Sequence, residues 1–243
     1  MNTLDVAVRG ITIRFAVLNP RLNIWAERFE EIEPELLDLI DDLPVGTTWY
    51  DAGASIGLFT LYAAIKRGMR TFAFEPEAQN YATLELNHYL NRGSLAHPVE
   101  SFNVALGEAK GVGHIYTRVY GAGEHVKILD VSETRDTHEP FSAQHVQSVL
   151  KLPLDDLIAE YGLPAPQALK IDVDGSEIPL LAGAERTLDD HTLRTVFIEL
   201  ADATGGNEQA TLERRGFRLD RKSPVVRLSG GFYPELYNCV FRR

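Results

Sequence analysis

The sequence predicts an α/β protein: a doubly wound, mostly parallel sheet with an N-terminal hairpin and helix appended to it. Three observations carry this. From Thr47 onward, short apolar runs alternate with segments of helical period, the order that gives a parallel sheet covered on both faces. The stretch "WYDAGASIGLFTLYAA" joins a strand to a helix through Gly53, Ser55 and Gly57, just after an acid, Asp51. "ALKIDVDGSE" reads as a central strand, yet it carries Lys170, Asp172 and Asp174 where a strand buried on both faces should be apolar.

Composition sets the bounds. The chain has 243 residues and is 44% hydrophobic, enough for a core within one domain spanning 1–243. Lys plus Arg number 24 against 35 Asp plus Glu, a net charge of -11, so nucleic-acid binding through a general basic surface is not expected. The single cysteine, Cys239, rules out an internal disulfide and suits a reducing compartment. No apolar run approaches the roughly 18 residues of a membrane span, and the first residues lack a signal pattern. A cytoplasmic protein without membrane partners is the expectation.

The elements follow in order. "LDVAVRGITIRFAV" reads as two strands meeting near Arg9 and Gly10. "ERFEEIEPELLDLIDDLP" is helical from about Pro34, with Leu36, Leu37 and Ile40 on one side, and completes an appendage over 1–45. "TTWYDAG" is a strand. "LFTLYAAIKRG" is a helix with Leu58, Leu61, Tyr62 and Ile65 on one face and Gly68 as its C-terminal cap. "RTFAFEP" is a strand, and "EAQNYATLELNHYLNRG" a helix that turns Ala82, Leu86, Tyr89 and Leu90 one way. "VESFNVALGE" is a third strand. Residues 111–145 then break the rhythm with a polar, Gly-, Thr- and His-bearing stretch, read as an inserted lid or hairpin. Beyond it come helix "LDDLIAEYG", strand "ALKIDVDG", helix "IPLLAGAERTL", strand "RTVFIEL", helix "NEQATLERRG" and two closing strands that allow one antiparallel edge.

Glycine clustered at a strand end means a tight turn or a close approach. In an open parallel sheet, ligands bind at such ends. The dinucleotide fingerprint G-x-G-x-x-G is not met, since the spacing here is G-x-S-x-G. Asp51 would repel a pyrophosphate and attract a cation. S-adenosylmethionine, which carries a sulfonium and an amino group and no phosphate, fits that preference. Glu75, beside Pro76 at the end of the second strand, can take a ribose diol. At the third strand's end, Asn103 could bond the adenine and Ala105 is small enough to let it lie flat.

On "LKIDVD", Lys170, Asp172 and Asp174 lie two apart and so share a face. Either Lys170 forms a structural ion pair with a carboxylate, or the acids stand at the mouth of a cofactor cleft. Glu199 ends the neighbouring strand at a similar height.

Taken in order, "WYDAGASIGLFTLYAA", "FAFEPEAQNYATLELN", "FNVALGE", "LPLDDL", "LKIDVDGSEIPLLAGAERTL" and "VFIEL" resemble the blocks of the FkbM-type family of S-adenosylmethionine-dependent methyltransferases, from about Trp49 to Leu200. The block "KIDVDGSE…LAGA" is the most specific. The family more often has Glu where this chain has Asp174 and Asn where it has Ser55; both changes keep a polar group. The resemblance implies a seven-stranded class I sheet, S-adenosylmethionine as cofactor, and O-methylation of a hydroxyl on a small molecule, sugar or natural product.

The residues themselves leave the base open. Asp172 could orient or deprotonate the acceptor, with Lys170 tuning it, and His125 in the insert is an alternative. Asp172 and Asp174 with a third oxygen could hold Mg²⁺ for a diol acceptor, though catalysis without a metal is expected. No Cys/His cluster suggests zinc. A nicotinamide dehydrogenase and a binding protein that kept the fold without catalysis are the rival classes.

Overall fold

In the computed structural model, residues 2–124, 126–133, 139–201, 205–226 and 232–243 are described. Two strands open the chain, β1 (Thr3–Val8) and β2 (Ile11–Ala16), paired antiparallel from Val8↔Ile11. Arg9 and Gly10 form the two-residue turn at φ 45° and 85°, the positive-φ pair that matches strand twist in a tight hairpin. Three helices follow: α1 (Pro20–Glu27), α2 (Phe29–Ile32) and α3 (Pro34–Asp42). Only α3 is foreseen from hydrophobic period. The other two are short, and α1 is set by its cap, Asn19, whose side chain accepts from the Leu22 amide at 2.9 Å, and by Pro20 in its first turn.

The alternating part runs β3 (Thr48–Ala52), α4 (Leu58–Arg67), β4 (Arg70–Phe74), α5 (Ala78–Asn91), β5 (Glu100–Phe102), β6 (Ala105–Leu106), β7 (Gly111–Thr117), β8 (Lys127–Leu129), β9 (His145–Leu152), α6 (Leu154–Tyr161), β10 (Ala168–Ile171), α7 (Glu177–Ala182), α8 (Glu185–Asp189), β11 (Thr195–Ala201), α9 (Gly206–Arg214), β12 (Arg218–Val226) and β13 (Phe232–Arg242). The main sheet has seven strands in the order β5-β4-β3-β10-β11-β13-β12. β3, β4, β5, β10 and β11 run parallel, whereas β13 is antiparallel to both its neighbours. The antiparallel strand therefore lies one place in from the edge.

Three expectations change. "VESFNVALGE" is not one strand: it breaks at Asn103, and β6 leaves the main sheet for a second one of order β6-β9-β7-β8. The insert is this second sheet, and its returning strand β9 continues to Leu152. The segment read as one helix after β10 splits into α7 and α8 at Gly183, where a Cβ would sit 2.0 Å from the Gly107 carbonyl oxygen.

α5 differs for an instructive reason. Ala82 and Tyr89 are exposed, and the helix buries Asn80, Thr83, Leu84, Asn87 and Asn91 instead. That face meets the backbone of β2. Asn87 Oδ1 accepts from the Ala16 amide at 2.8 Å and Asn91 Oδ1 from the Arg14 amide at 2.9 Å, while Asn91 Nδ2 donates to the Arg14 carbonyl. Side-chain amides satisfy groups that another strand would otherwise pair. Hydropathy cannot reveal a helix face chosen for hydrogen bonding.

Core side chains fill both sides of the main sheet. Adjacent Trp49 and Tyr50 on β3 face opposite ways, as strand geometry requires. Trp49's layer includes Phe15, Phe29, Leu36, Ile40 and Tyr62, so the first 45 residues share a core with α4. Among the described residues no helix is long and apolar enough to cross a membrane.

Candidate active site

A cavity of about 1250 Å³ opens beyond the carboxyl ends of β3, β4, β10 and β11, walled by α1 and by the second sheet. Ligands of open α/β sheets bind in this position.

The loop after β3 forms one wall. Gly53 has φ 78°, and a Cβ there would lie 1.8 Å from the backbone carbonyl oxygen of Asp172. What approaches Gly53 is thus the neighbouring strand's own chain. Gly57, φ 85°, leaves space for Leu84 of α5, 3.2 Å from where its Cβ would be. The amides of Gly53 and Ala54 both donate to the Phe74 carbonyl, and the Ser55 amide donates to Glu75 Oε2 at 2.7 Å. With its first three amides turned onto β4 and its end, this loop offers no cradle for a pyrophosphate.

Glu75 is buried, with its carboxylate in the cavity wall. One oxygen takes the Ser55 amide and the other the Glu77 amide at 2.8 Å, so each keeps a lone pair for a ligand. Burial pushes this carboxyl up to about 7, against the opposing pull of the two amides and the Lys127 charge. Pro76 lines the cavity beside it. Asn103 does not: it is exposed, and its Nδ2 donates to the carbonyls of Glu75 (2.8 Å) and Pro76 (3.0 Å). Asn103 therefore braces the loop that carries Glu75, and the adenine contact expected of it is corrected. Ala105 on β6 does reach the cavity, next to Leu106, Ile115 and Ile128, which together form an apolar slot.

The charged strand divides its work. Lys170 is buried and donates to the Gly53 carbonyl at 3.0 Å; its Nζ lies 3.1 Å from Asp51 and 3.6 Å from Asp172. Burial alone would lower its affinity for a proton, but the charges of Asp51, Asp172 and Glu33 outweigh that and raise it. The structural ion pair is thus present. Asp51 is its main partner and also accepts from Thr60 Oγ1 at 2.6 Å. It is buried and absent from the cavity wall, so its expected contact with a ligand cation is corrected: this acid turns inward to Lys170 and Thr60 and serves the sheet. β10 ends at Ile171, so Asp174 lies in the turn beyond it at φ 50°, followed by Gly175 at φ 99°. Asp172 and Asp174 both line the cavity, as does Glu199 of β11. His125 lies outside the described residues.

Several residues in the wall or bracing it were not foreseen. Lys127 of β8 donates to Glu77 Oε2 (2.6 Å) and to Asn80 Oδ1 (3.0 Å), and the Gly123 amide also donates to Asn80 Oδ1. Gln147 of β9 donates to the Pro76 carbonyl and accepts from the Ala78 amide. These bonds lock the insert onto the start of α5. On the opposite wall stands Glu33, between α2 and α3. Nothing in the local sequence marks these residues, because each partner is tens of positions away.

The comparisons with known proteins agree with this frame. The model of the methyltransferase FkbM domain matches residues 51–219. The 31-O-demethyl-FK506 methyltransferase FkbM of Streptomyces tacrolimicus is 31% identical over 200 residues, 73% of this chain and 75% of that protein. Among solved structures, methyltransferase FkbM of Methylobacillus flagellatus KT superposes with a TM-score of 0.52 at 15% identity, over 93% of this chain. This chain spans only 62% of that one's length. Magnesium protoporphyrin IX methyltransferase of Synechocystis PCC 6803, solved with bound S-adenosylmethionine, also gives 0.52, at 9% identity over 94% of this chain and 86% of its own. At those identities the two structures speak for the class I methyltransferase fold alone. On the matched domain and the 31% identical relative, the chain belongs to the FkbM family of methyltransferases.

Proposed function

We propose that this protein transfers the methyl group of S-adenosylmethionine to a hydroxyl oxygen of a small molecule, sugar or natural product. The observation that carries this is Glu75, a buried carboxylate held by two backbone amides in the wall of a cleft whose first loop offers no phosphate cradle. Glu75 would take the ribose diol, and the slot at Ala105 the adenine. The Gly53–Ser55 wall and the acids Asp172 and Asp174 would face the amino and sulfonium end. When bound, S-adenosylmethionine supplies an electrophilic methyl on a positively charged sulfur. Most of the acceleration then comes from holding the acceptor oxygen in line with it.

Asp172 is the residue best sited to orient the acceptor hydroxyl, and Lys170 fixes its position. The insert and α1 wall the side from which an acceptor enters, so acceptor choice is assigned to them. Asn19 Nδ2 donates to the Ala122 carbonyl and Arg21 Nε to that of Gly123, which ties the two together. The Streptomyces relative is named for a 31-O-demethyl acceptor, an oxygen, which supports the choice of atom. Turnover without a divalent ion is part of the proposal, since Lys170 already sets a positive charge beside Asp172.

Thermal stabilisation separates the rivals. S-Adenosylmethionine and S-adenosylhomocysteine are expected to raise the melting temperature, and NAD and NADP to leave it unchanged. Incubation with S-adenosylmethionine and a panel of hydroxylated sugars and natural-product scaffolds should then yield a product heavier by one methyl-for-hydrogen replacement, with chelator present throughout. Stabilisation by NAD, or turnover that chelator abolishes and Mg²⁺ restores, contradicts the proposal.

A further inference from the structure

Glu33 lies outside the residues that the family model matches. It occupies the N-cap position of α3, and the Leu36 and Leu37 amides bond its backbone carbonyl. Its side chain makes no cap bond, although an acid there would ordinarily satisfy the amides of its own helix. The carboxyl instead lies in the cavity wall, and Oε2 is buried with no hydrogen-bond partner. Leaving such an atom unpaired costs stability, so a fold that keeps it calls for a ligand to complete it. The charged groups facing it are Asp172 and Lys170 from the β10 end, Glu199 from β11 and Glu35 from α3 itself. Burial, then the charge of Asp172, holds the Glu33 carboxyl well above the usual carboxylate range, with Lys170 pulling the other way. Asp172 differs in being already in ionic contact with Lys170.

We propose that the Glu33 carboxylate takes the proton of the acceptor hydroxyl during methyl transfer, while Asp172 orients that hydroxyl. The proposal rests on the methyl-transfer reading above. As the acceptor oxygen bonds to the methyl carbon, the carbon–sulfur bond breaks and its electron pair stays on sulfur. The hydroxyl proton passes to Glu33, which ends as a neutral carboxylic acid. A carboxyl with a raised proton affinity is the better matched acceptor for a weakly acidic alcohol.

One consequence needs no acceptor. A proton acceptor placed at the methyl group lies beside the sulfonium, and a positive charge within about 4–6 Å favours the ionised carboxylate. Binding S-adenosylmethionine should therefore release a proton that binding S-adenosylhomocysteine, whose sulfur is neutral, does not. Contacts common to both ligands, those of Glu75 included, cancel in the difference.

The experiment is titration calorimetry of the full chain with each ligand at about pH 7, in two buffers of different ionisation enthalpy. For the wild type, S-adenosylmethionine should release measurably more protons per site than S-adenosylhomocysteine. Glu33→Gln should abolish that excess while binding S-adenosylhomocysteine within about threefold of the wild type, under roughly 0.7 kcal/mol. Glu33→Asp, which keeps the carboxyl, should retain it and guards against a glutamine variant that fails to fold. An excess that persists in Glu33→Gln, or is absent from a wild type that binds both ligands, overturns the assignment to Glu33 alone. A wild type that binds neither ligand overturns the methyl-transfer reading, and the assignment with it.

Discussion

Glu75 couples the candidate site to stability. Its carboxyl titrates near 4.5 in a free chain and at about 7 when folded. Between those values the folded protein keeps a proton that the unfolded chain has lost, so this group's contribution to stability falls as pH rises through that window. Integrated, the loss is roughly 3 kcal/mol. Glu75→Gln removes the titration. It also sets an amide donor against one of two backbone amides, a cost that does not vary with pH. The stability difference between variant and wild type should therefore move in the variant's favour by roughly 2.5 kcal/mol between about pH 5 and pH 7.5, read from urea unfolding at each pH. A pH-independent difference would mean that Glu75 is ionised throughout. Gly53 belongs to the same scale. Its positive φ and the Asp172 carbonyl against it explain the small residue without any ligand.

At the scale of elements, the joint between the insert and α5 decides how closed the cleft is. Glu77 caps α5 through the Gln79 and Asn80 amides and also receives Lys127 in a buried pair. Removing one member of such a pair strands the other's charge, at a cost of about 3–5 kcal/mol, whereas replacing both is often close to neutral. Lys127→Met should therefore lose stability on that order and weaken S-adenosylmethionine binding, because the second sheet loosens from the wall that carries Glu75. Lys127→Met with Glu77→Gln should regain most of both, as measured by unfolding and calorimetry. Equal losses in the single and double variants would show that the joint rests on other bonds, of which Gln147 to Pro76 and Ala78 are the nearest.

Across the whole molecule, the first 45 residues are part of the core. Phe15, Phe29, Leu36 and Ile40 are buried with Trp49, Tyr62 and Phe197 of the alternating region. The β2 edge is bonded by Asn87 and Asn91 of α5. Deleting residues 1–45 would expose that layer and take away the amides that Asn87 Oδ1 and Asn91 Oδ1 accept from. Full burial of one such aromatic or aliphatic side chain contributes about 1.5–3 kcal/mol, so losing several exceeds the whole stability of an ordinary domain. The shortened chain is expected to lose its cooperative unfolding transition and bind a hydrophobic dye. A sharp transition in the fragment would mean that the segment is separable, with the family-matched region folding by itself.

Much of this protein is local information. Alternating strand and helical periods yield the parallel sheet, Gly68 ends α4, and the acid and small residues at the strand ends mark Glu75, Ser55 and Asp172 as cavity residues. Each is legible because a strand end or a helix cap is written within a few neighbouring positions. Pairings between distant positions were decided by tertiary structure alone. Asp51 left the cavity for Lys170, which lies opposite it on the adjoining strand. Asn103 turned to the carbonyls of Glu75 and Pro76, and the asparagines of α5 found the edge of β2. Glu33 and Lys127 reached the cleft, and Gln147 the loop that leads into α5, from elements far away in the chain. Hydropathy records whether a residue avoids water. A polar side chain is placed by the one partner that satisfies its hydrogen bonds or charge, and only the folded chain brings that partner within 3 Å or so.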